Sequence, residues 1–166
     1  MSKTEYSERQ RFTQWWVWVI FMSINIPFLY GCYAQLVEGT PWGNHPMSDT
    51  GLIIVTLLVI LFTVSFFLFR LETHINSQGI YVRFYPFQPK HVIFHWEDIS
   101  DAYIRQYSPL KEYGGWGYRK SFGNNTAYTI KGKIGLQLLL KNNKKVLIGT
   151  QQPQKLQQVL NELWKR

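Results

Sequence analysis

Two long apolar blocks occupy most of the chain before Arg70. "WWVWVIFMSINIPFLYGCYAQLV" runs from Trp15 to Val37 and "GLIIVTLLVILFTVSFFLF" from Gly51 to Phe69, and neither carries a charged side chain. At ~1.5 Å per residue these are helices of roughly 34 and 28 Å, against a bilayer hydrocarbon core of ~30 Å. The second block is apolar on every face, where a soluble core helix of that length would keep a polar stripe. The pattern predicts transmembrane helices at 15–37 and 51–69, a short external loop at 38–50, and a cytoplasmic N-terminal segment at 1–14.

From Glu72 the apolar period falls to two. In "GIYVRFY", Ile80, Val82 and Phe84 alternate with Tyr81, Arg83 and Tyr85. "HVIFHW" sets Val92, Phe94 and Trp96 against His91, Ile93 and His95. "DAYIRQY" sets Ala102 and Ile104 against Tyr103, Arg105 and Tyr107. Such alternation, rich in β-branched and aromatic residues, predicts half-buried strands, with "NSQG" and "PFQPK" as turns. "IGLQLLLKNNKKVLIGT" predicts two more strands around Asn142-Asn143, since Asn tolerates the left-handed backbone of a tight hairpin. The chain then changes period again. Pro153 suits a first helical turn, and Leu156, Val159, Leu160, Leu163 and Trp164 form one stripe of an amphipathic helix. The expected fold is α+β, mainly β. A two-helix hairpin is followed, over 70–166, by a small barrel or sandwich of about seven strands capped by the C-terminal helix.

Charge separates the two halves. From Arg70 onward there are 15 Lys and Arg against 6 Asp and Glu, and before it 3 against 4. Lys3, Arg9 and Arg11 precede the first apolar block, Arg70 follows the second, and the loop between them has no Lys or Arg. By the positive-inside rule both termini are cytoplasmic and the short loop lies outside, as in a two-span membrane protein. Trp15, Trp16, Trp18 and Trp42 fall near the expected interfaces. Asn25, Pro27 and Gln35 interrupt the first span and predict a kink with polar contacts across the hairpin. A single cysteine, Cys32, excludes an intrachain disulfide framework. Its setting, "LYGC" (Leu29, Tyr30, Gly31, Cys32), also looks like a lipoprotein cleavage box. Against that, Tyr30 is bulky and the apolar run continues to Val37.

Four stretches carry a family resemblance: "THINSQGIYVRFYPFQ", "WEDI" (Trp96 to Ile99), "YSPLKEYGGWGYR" and "LQLLLKNNKKVLIGTQQPQKL". Together they resemble the bacterial pleckstrin-homology-like membrane proteins, in which one or two spans precede a cytoplasmic domain. The resemblance covers the chain from Leu52 onward and implies a fold and a topology, not an activity. Phosphoinositide-binding relatives of that fold use a basic loop between their first strands. The corresponding turn here, "PFQPKH", offers only Lys90 and His91.

No residue pattern points to catalysis or a cofactor. His91 and His95 on a strand lie about 13 Å apart, too far to share one metal ion bonded at ~2.0–2.1 Å. Glu97 and Asp98 are neighbours aimed at opposite faces. The glycines of "KEYGGWGYRKSF" (Lys111 to Phe122) match no phosphate-binding loop. That stretch is instead the candidate contact surface, with Lys111, Tyr113, Trp116, Tyr118, Arg119 and Lys120 joined by Arg105. The expected function is a non-enzymatic, membrane-tethered binding or scaffold module. Its partner is the anionic lipid surface, or a membrane or cytoplasmic protein, including another copy of itself. Nucleic acid, for which Lys131 and Lys133 would join the basic residues, is not expected, because a domain held against an anionic leaflet needs the same charges. The alternative is an accessory subunit of a membrane complex, assembled through Asn25, Pro27 and Gln35.

Overall fold

The computed structural model describes residues 5–121 and 125–164, so Lys3 and Phe122 lie outside the described residues. The chain forms two compact units: residues 12–68, and residues 1–11 together with 69–166.

The first unit is a pair of helices, α1 (Trp15–Leu36) and α2 (Asp49–Ser65), the second ending in a single 3-10 turn at Phe66–Leu68. Both are long and apolar enough to cross a membrane. Ser48 starts α2, its Oγ accepting the Gly51 N–H at 3.3 Å. The expected kink at Pro27 does not break α1, which continues through it. Within the hairpin Val17, Phe21 and Ala34 of α1 and Leu52 and Thr56 of α2 are buried. Large side chains such as Ile26 and Leu61 stay exposed, at 60% and 65%. Polar side chains link the helices: Asn25 Nδ2 donates to Thr63 Oγ1 at 2.8 Å and to the Phe21 carbonyl at 2.7 Å. Cys32 Sγ lies 3.2 Å from Thr56 Oγ1. Gln35 Nε2 donates to the Met47 carbonyl at 2.8 Å and to Asp49 at 2.7 Å. Gly31 lets the Trp42 ring lie directly against α1, where a Cβ would fall 2.5 Å from the indole.

The second unit holds nine strands among the described residues. β1 (Tyr6–Arg11), β2 (Arg70–Asn76), β3 (Gly79–Tyr85) and β4 (Gln88–His95) form an antiparallel sheet in sequence order. β5 (Ile99–Gln106), β6 (Gly117–Ser121), β7 (Asn125–Thr129), β8 (Ile134–Leu140) and β9 (Lys145–Gly149) form a second sheet, ordered β5-β8-β9-β7-β6. In it only β7 and β9 run parallel. A one-turn helix α3 (Pro109–Tyr113) joins β5 to β6, and α4 (Pro153–Leu163) ends the described chain. The layout is the expected α+β one, but the two sheets do not close into a barrel.

The period-two readings of β3 and β4 hold, with Ile80, Val82 and Phe84 fully buried. The β8–β9 hairpin turns at Asn143, whose φ is 62°. Leu156, Val159 and Leu160 bury one side of α4, which lies against β1 and β5, and Trp164 packs on Trp96 with ring centroids 5.5 Å apart. Tyr107 departs from expectation. It lies past the end of β5 rather than on its outer face, and it is buried at 4% exposure beside Ala127 and Leu147. Burial pushes its phenol up to about 12.

The main difference from the expected domain boundaries is β1. The segment read as a separate N-terminal stretch is an edge strand of the first sheet, paired with β2 from Tyr6↔Ile75 to Arg11↔Arg70. The helical hairpin is therefore an insertion between two neighbouring strands.

Candidate functional site

The stretch from Lys111 to Lys120 is ordered by its own contacts. Lys111 and Tyr113 sit on α3, which Gly114 ends with φ 69°. The Gly114 N–H donates back to the Leu110 carbonyl and that of Gly115 to the Pro109 carbonyl. Trp116 donates its indole N–H to the Gly132 carbonyl at 3.0 Å. Tyr118, on β6, stacks on Tyr128 at 5.2 Å. Tyr113 packs edge-on to Tyr107, 6.3 Å between centroids. Arg105 is held by Gln137 at 3.0 Å and Glu112 at 2.7 Å. Arg105, Tyr113, Trp116 and Tyr118 are thus placed by internal bonds and packing, while Lys111, Arg119 and Lys120 remain exposed.

A second set of residues, which sequence periodicity does not bring together, meets on the outer face of the first sheet. Paired residues on neighbouring strands point to the same side, so the register defines rows across it. One row is Ser7–His74–Tyr81, the next Arg9–Glu72–Arg83, and the last Arg11–Arg70–Tyr85. Successive rows are about 7 Å apart. Glu72 is at the centre. Arg83 bonds its Oε2 through Nη2 and through Nε, the latter at 2.9 Å. On its Oε1 side lie Arg70 Nε at 3.3 Å and Arg9 Nε at 3.4 Å. The Arg70 guanidinium also covers the Tyr85 ring, 4.7 Å from its centroid. Partial burial alone would raise the Glu72 pKa. The bond and charge of Arg83, with Arg70 and Arg9, outweigh it and hold the carboxyl below its ordinary value.

Beside this row the His74 and His91 rings lie 5.8 Å apart. Glu72, His74 and His91 present ligand-type atoms within 4.8 Å of one another. His91 and His95 lie four residues apart on one strand, β4, as the sequence pattern predicts. The His74–His91 approach arises instead across strands. Glu72 is already committed to three guanidiniums, so a divalent cation would meet concentrated positive charge. Desolvation first, then Arg83 and His74, lower the His91 pKa below its ordinary value.

The inner face of β1 is also polar. The buried Glu8 carboxylate accepts from the Tyr6 hydroxyl, from Thr150 Oγ1 at 2.8 Å and from the Gln151 N–H at 2.7 Å. Gln10 Nε2 donates to the Gly149 carbonyl at 2.7 Å. Burial and then the Glu8 bond push the Tyr6 phenol above its ordinary range. "IGTQ", part of the resemblance above, is therefore the segment to which β1 is fastened.

These features define an α+β protein with two helices long and apolar enough to span a membrane and a two-sheet unit with an arginine-rich outer face. The chain belongs to DUF6141, a family of unknown function, whose model matches residues 8–163. No curated protein sequence matches it.

Proposed function

We propose that this protein is a non-enzymatic, membrane-tethered binding module. In this reading α1 and α2 cross a bacterial inner membrane as a hairpin, and a pleckstrin-homology-like sheet unit works against the anionic cytoplasmic leaflet. The observation that carries the reading is the pairing of Arg11 with Arg70. The chain leaves the sheet after Arg11 and returns to it at Arg70, from directly adjacent positions. A segment inserted there must cross a bilayer an even number of times. Two apolar helices with outward side chains such as Ile26 and Leu61 meet that condition, since burial in lipid accounts for apolar surface that water would disfavour.

The pleckstrin-homology-like assignment is supported by two sheets followed by a helix lying against β1 and β5. The five-stranded second sheet, with its parallel β7–β9 pair, is a departure from that pattern. The non-enzymatic reading is supported by the ionisable clusters. Glu72 and Arg105 are engaged in ion pairs, and Glu8 is enclosed in a structural network. The accessory-subunit alternative needs Asn25, Pro27 and Gln35 to face a partner, but the two polar side chains among them, Asn25 and Gln35, are engaged internally. Their amides bond within the hairpin, which favours the tethered module.

The test reconstitutes the full chain in nanodiscs of phosphatidylcholine, with and without phosphatidylglycerol, and follows hydrogen exchange. Slower exchange somewhere in the sheet unit in the anionic discs is expected. Identical exchange in both lipids would reject lipid-surface binding and move the search to a protein partner.

A further inference from the structure

We propose that the outer face of the β1–β4 sheet is a binding site for lipid headgroup phosphate, formed by Arg9, Arg11, Arg70 and Arg83 and organised by Glu72. The proposal rests on the membrane-tethered reading above and deepens it by naming the surface and the ligand chemistry.

Charge is the first argument. The two rows nearest the Arg11↔Arg70 pair hold four guanidiniums and one carboxylate. The row beyond them holds none of either, only Ser7, His74 and Tyr81. Positive charge therefore rises toward the end of the sheet from which the chain passes into its apolar segments. Arg11 directly precedes Phe12, and Arg70 directly follows Phe69. Phosphates lie in the interfacial layer just outside the hydrocarbon core, and basic residues close to an anionic leaflet are drawn to it.

Preorganisation is the second argument. A guanidinium has five N–H donors in a planar fork that matches phosphate oxygens two at a time. Arg83 hydrogen-bonds Glu72 through Nε and Nη2, while Nε of Arg9 and of Arg70 lie at ion-pair distance, 3.4 and 3.3 Å, from its other oxygen. Each guanidinium keeps further N–H donors that Glu72 does not take up. Side-chain exposures of 49%, 30% and 27% for Arg9, Arg70 and Arg83, against 11% for Glu72, put the cations outermost and the carboxylate beneath them. Arg70 is further fixed over Tyr85. Glu72 is a positioning residue: it lowers the mobility of three long side chains, so a phosphate meets them already gathered. Next to the arginine row a cleft of about 320 Å³, lined by Ser7, His74, Tyr81 and His91 among others, leaves room for the rest of a headgroup.

The occupant is the bilayer and not a soluble anion, because the same chain enters its apolar helical segment at Trp15, four residues after Arg11, and leaves it at Leu68, two residues before Arg70. The experiment titrates the full chain in detergent with short-chain phosphatidylglycerol, phosphatidylcholine and inorganic phosphate, counting bound ligand by native mass spectrometry. The wild type is expected to prefer phosphatidylglycerol. Arg9→Gln with Arg11→Gln, both on exposed side chains, should weaken that binding about tenfold or more and leave phosphatidylcholine unchanged. Lys111→Gln with Arg119→Gln and Lys120→Gln should bind as the wild type does. Glu72→Gln gives the sharpest contrast. It makes the face more positive, so charge alone predicts tighter binding, while an organised site predicts weaker binding. Tighter binding by Glu72→Gln would overturn the proposal. So would full affinity of the Arg9/Arg11 variant, loss in the Lys111/Arg119/Lys120 variant alone, or equal affinity for inorganic phosphate. The last four results leave the membrane-tethered reading intact, whereas a wild type with no preference for phosphatidylglycerol rejects both.

Discussion

Glu8→Ala is expected to destabilise the sheet unit by about 3 kcal/mol or more. Glu8 is 5% exposed, and its carboxylate accepts from three donors: Tyr6 on its own strand and, from a distant part of the chain, Thr150 and Gln151. Hydrogen bonds to a charged group contribute ~1.5–3 kcal/mol each, and a buried donor left without a partner adds a desolvation penalty. Tyr6 and Thr150 can still bond each other, their oxygens being 3.1 Å apart, so the loss is less than the full sum. The Gln151 N–H has no such recourse. The measurement is thermal melting of the full chain in detergent, followed by the β-sheet circular dichroism signal. A fall of at least ~12 °C is expected for a unit of this size. Glu8→Gln, which keeps an acceptor oxygen, should fall between the two. Unchanged melting of Glu8→Ala would mean that β1 is not held by this network.

The second large effect concerns where the folded unit begins. A fragment starting at Arg70, the boundary that hydropathy alone suggests, is expected not to fold. It lacks β1, and with it the six-residue ladder on β2, the buried Tyr6 side chain and the Glu8 network. Burial of one large side chain contributes ~1.5–3 kcal/mol. Added to the Glu8 bonds, the loss reaches the ~5–15 kcal/mol that stabilises a whole domain. It also exposes β2 as a new sheet edge prone to association. Joining residues 5–11 to the fragment through a short Gly/Ser linker should restore folding, because Arg11 and Arg70 are cross-strand neighbours only about 5 Å apart. Dispersed amide proton signals from the linked chain, and collapsed ones from the fragment, are the expected pair of spectra. A well-folded fragment without β1 would contradict the register.

Where one face of an element is apolar and the other polar, the sequence is enough to read it. Ile80, Val82 and Phe84 in β3 and Leu156, Val159 and Leu160 in α4 are such cases, and both elements occur as read. β1 has no such contrast. Of its inner residues only Tyr6 fills the core; Glu8 and Gln10 are as polar as the outer Ser7, Arg9 and Arg11, because they satisfy backbone and hydroxyl groups of the β9–α4 turn. Its partner strand also lies beyond two apolar helices, out of reach of local patterning. The glycine-rich stretch misleads in a different way. Gly114 ends a one-turn helix and Gly117 begins an edge strand, so what reads as a loop is two short elements. The arginine face was visible only in part. Arg9, Arg11 and Arg70 stood out as charges flanking the apolar blocks, but their convergence with Arg83 on Glu72 is a product of β-register, not of spacing along the chain.

The central claim is a hairpin that crosses the membrane twice and returns the chain to the strand next to the one it left. Labelling of single cysteines in intact bacterial cells tests it most directly. With Cys32 replaced by serine, Ser7→Cys, Asn44→Cys and Asn142→Cys place exposed thiols on β1, on the connection between the helices and on the β8–β9 turn. The account predicts that a membrane-impermeant maleimide reaches Asn44→Cys in intact cells, and reaches Ser7→Cys and Asn142→Cys only after permeabilisation. Labelling of Ser7→Cys and Asn142→Cys from opposite sides, or equal labelling of all three in intact cells, would contradict it.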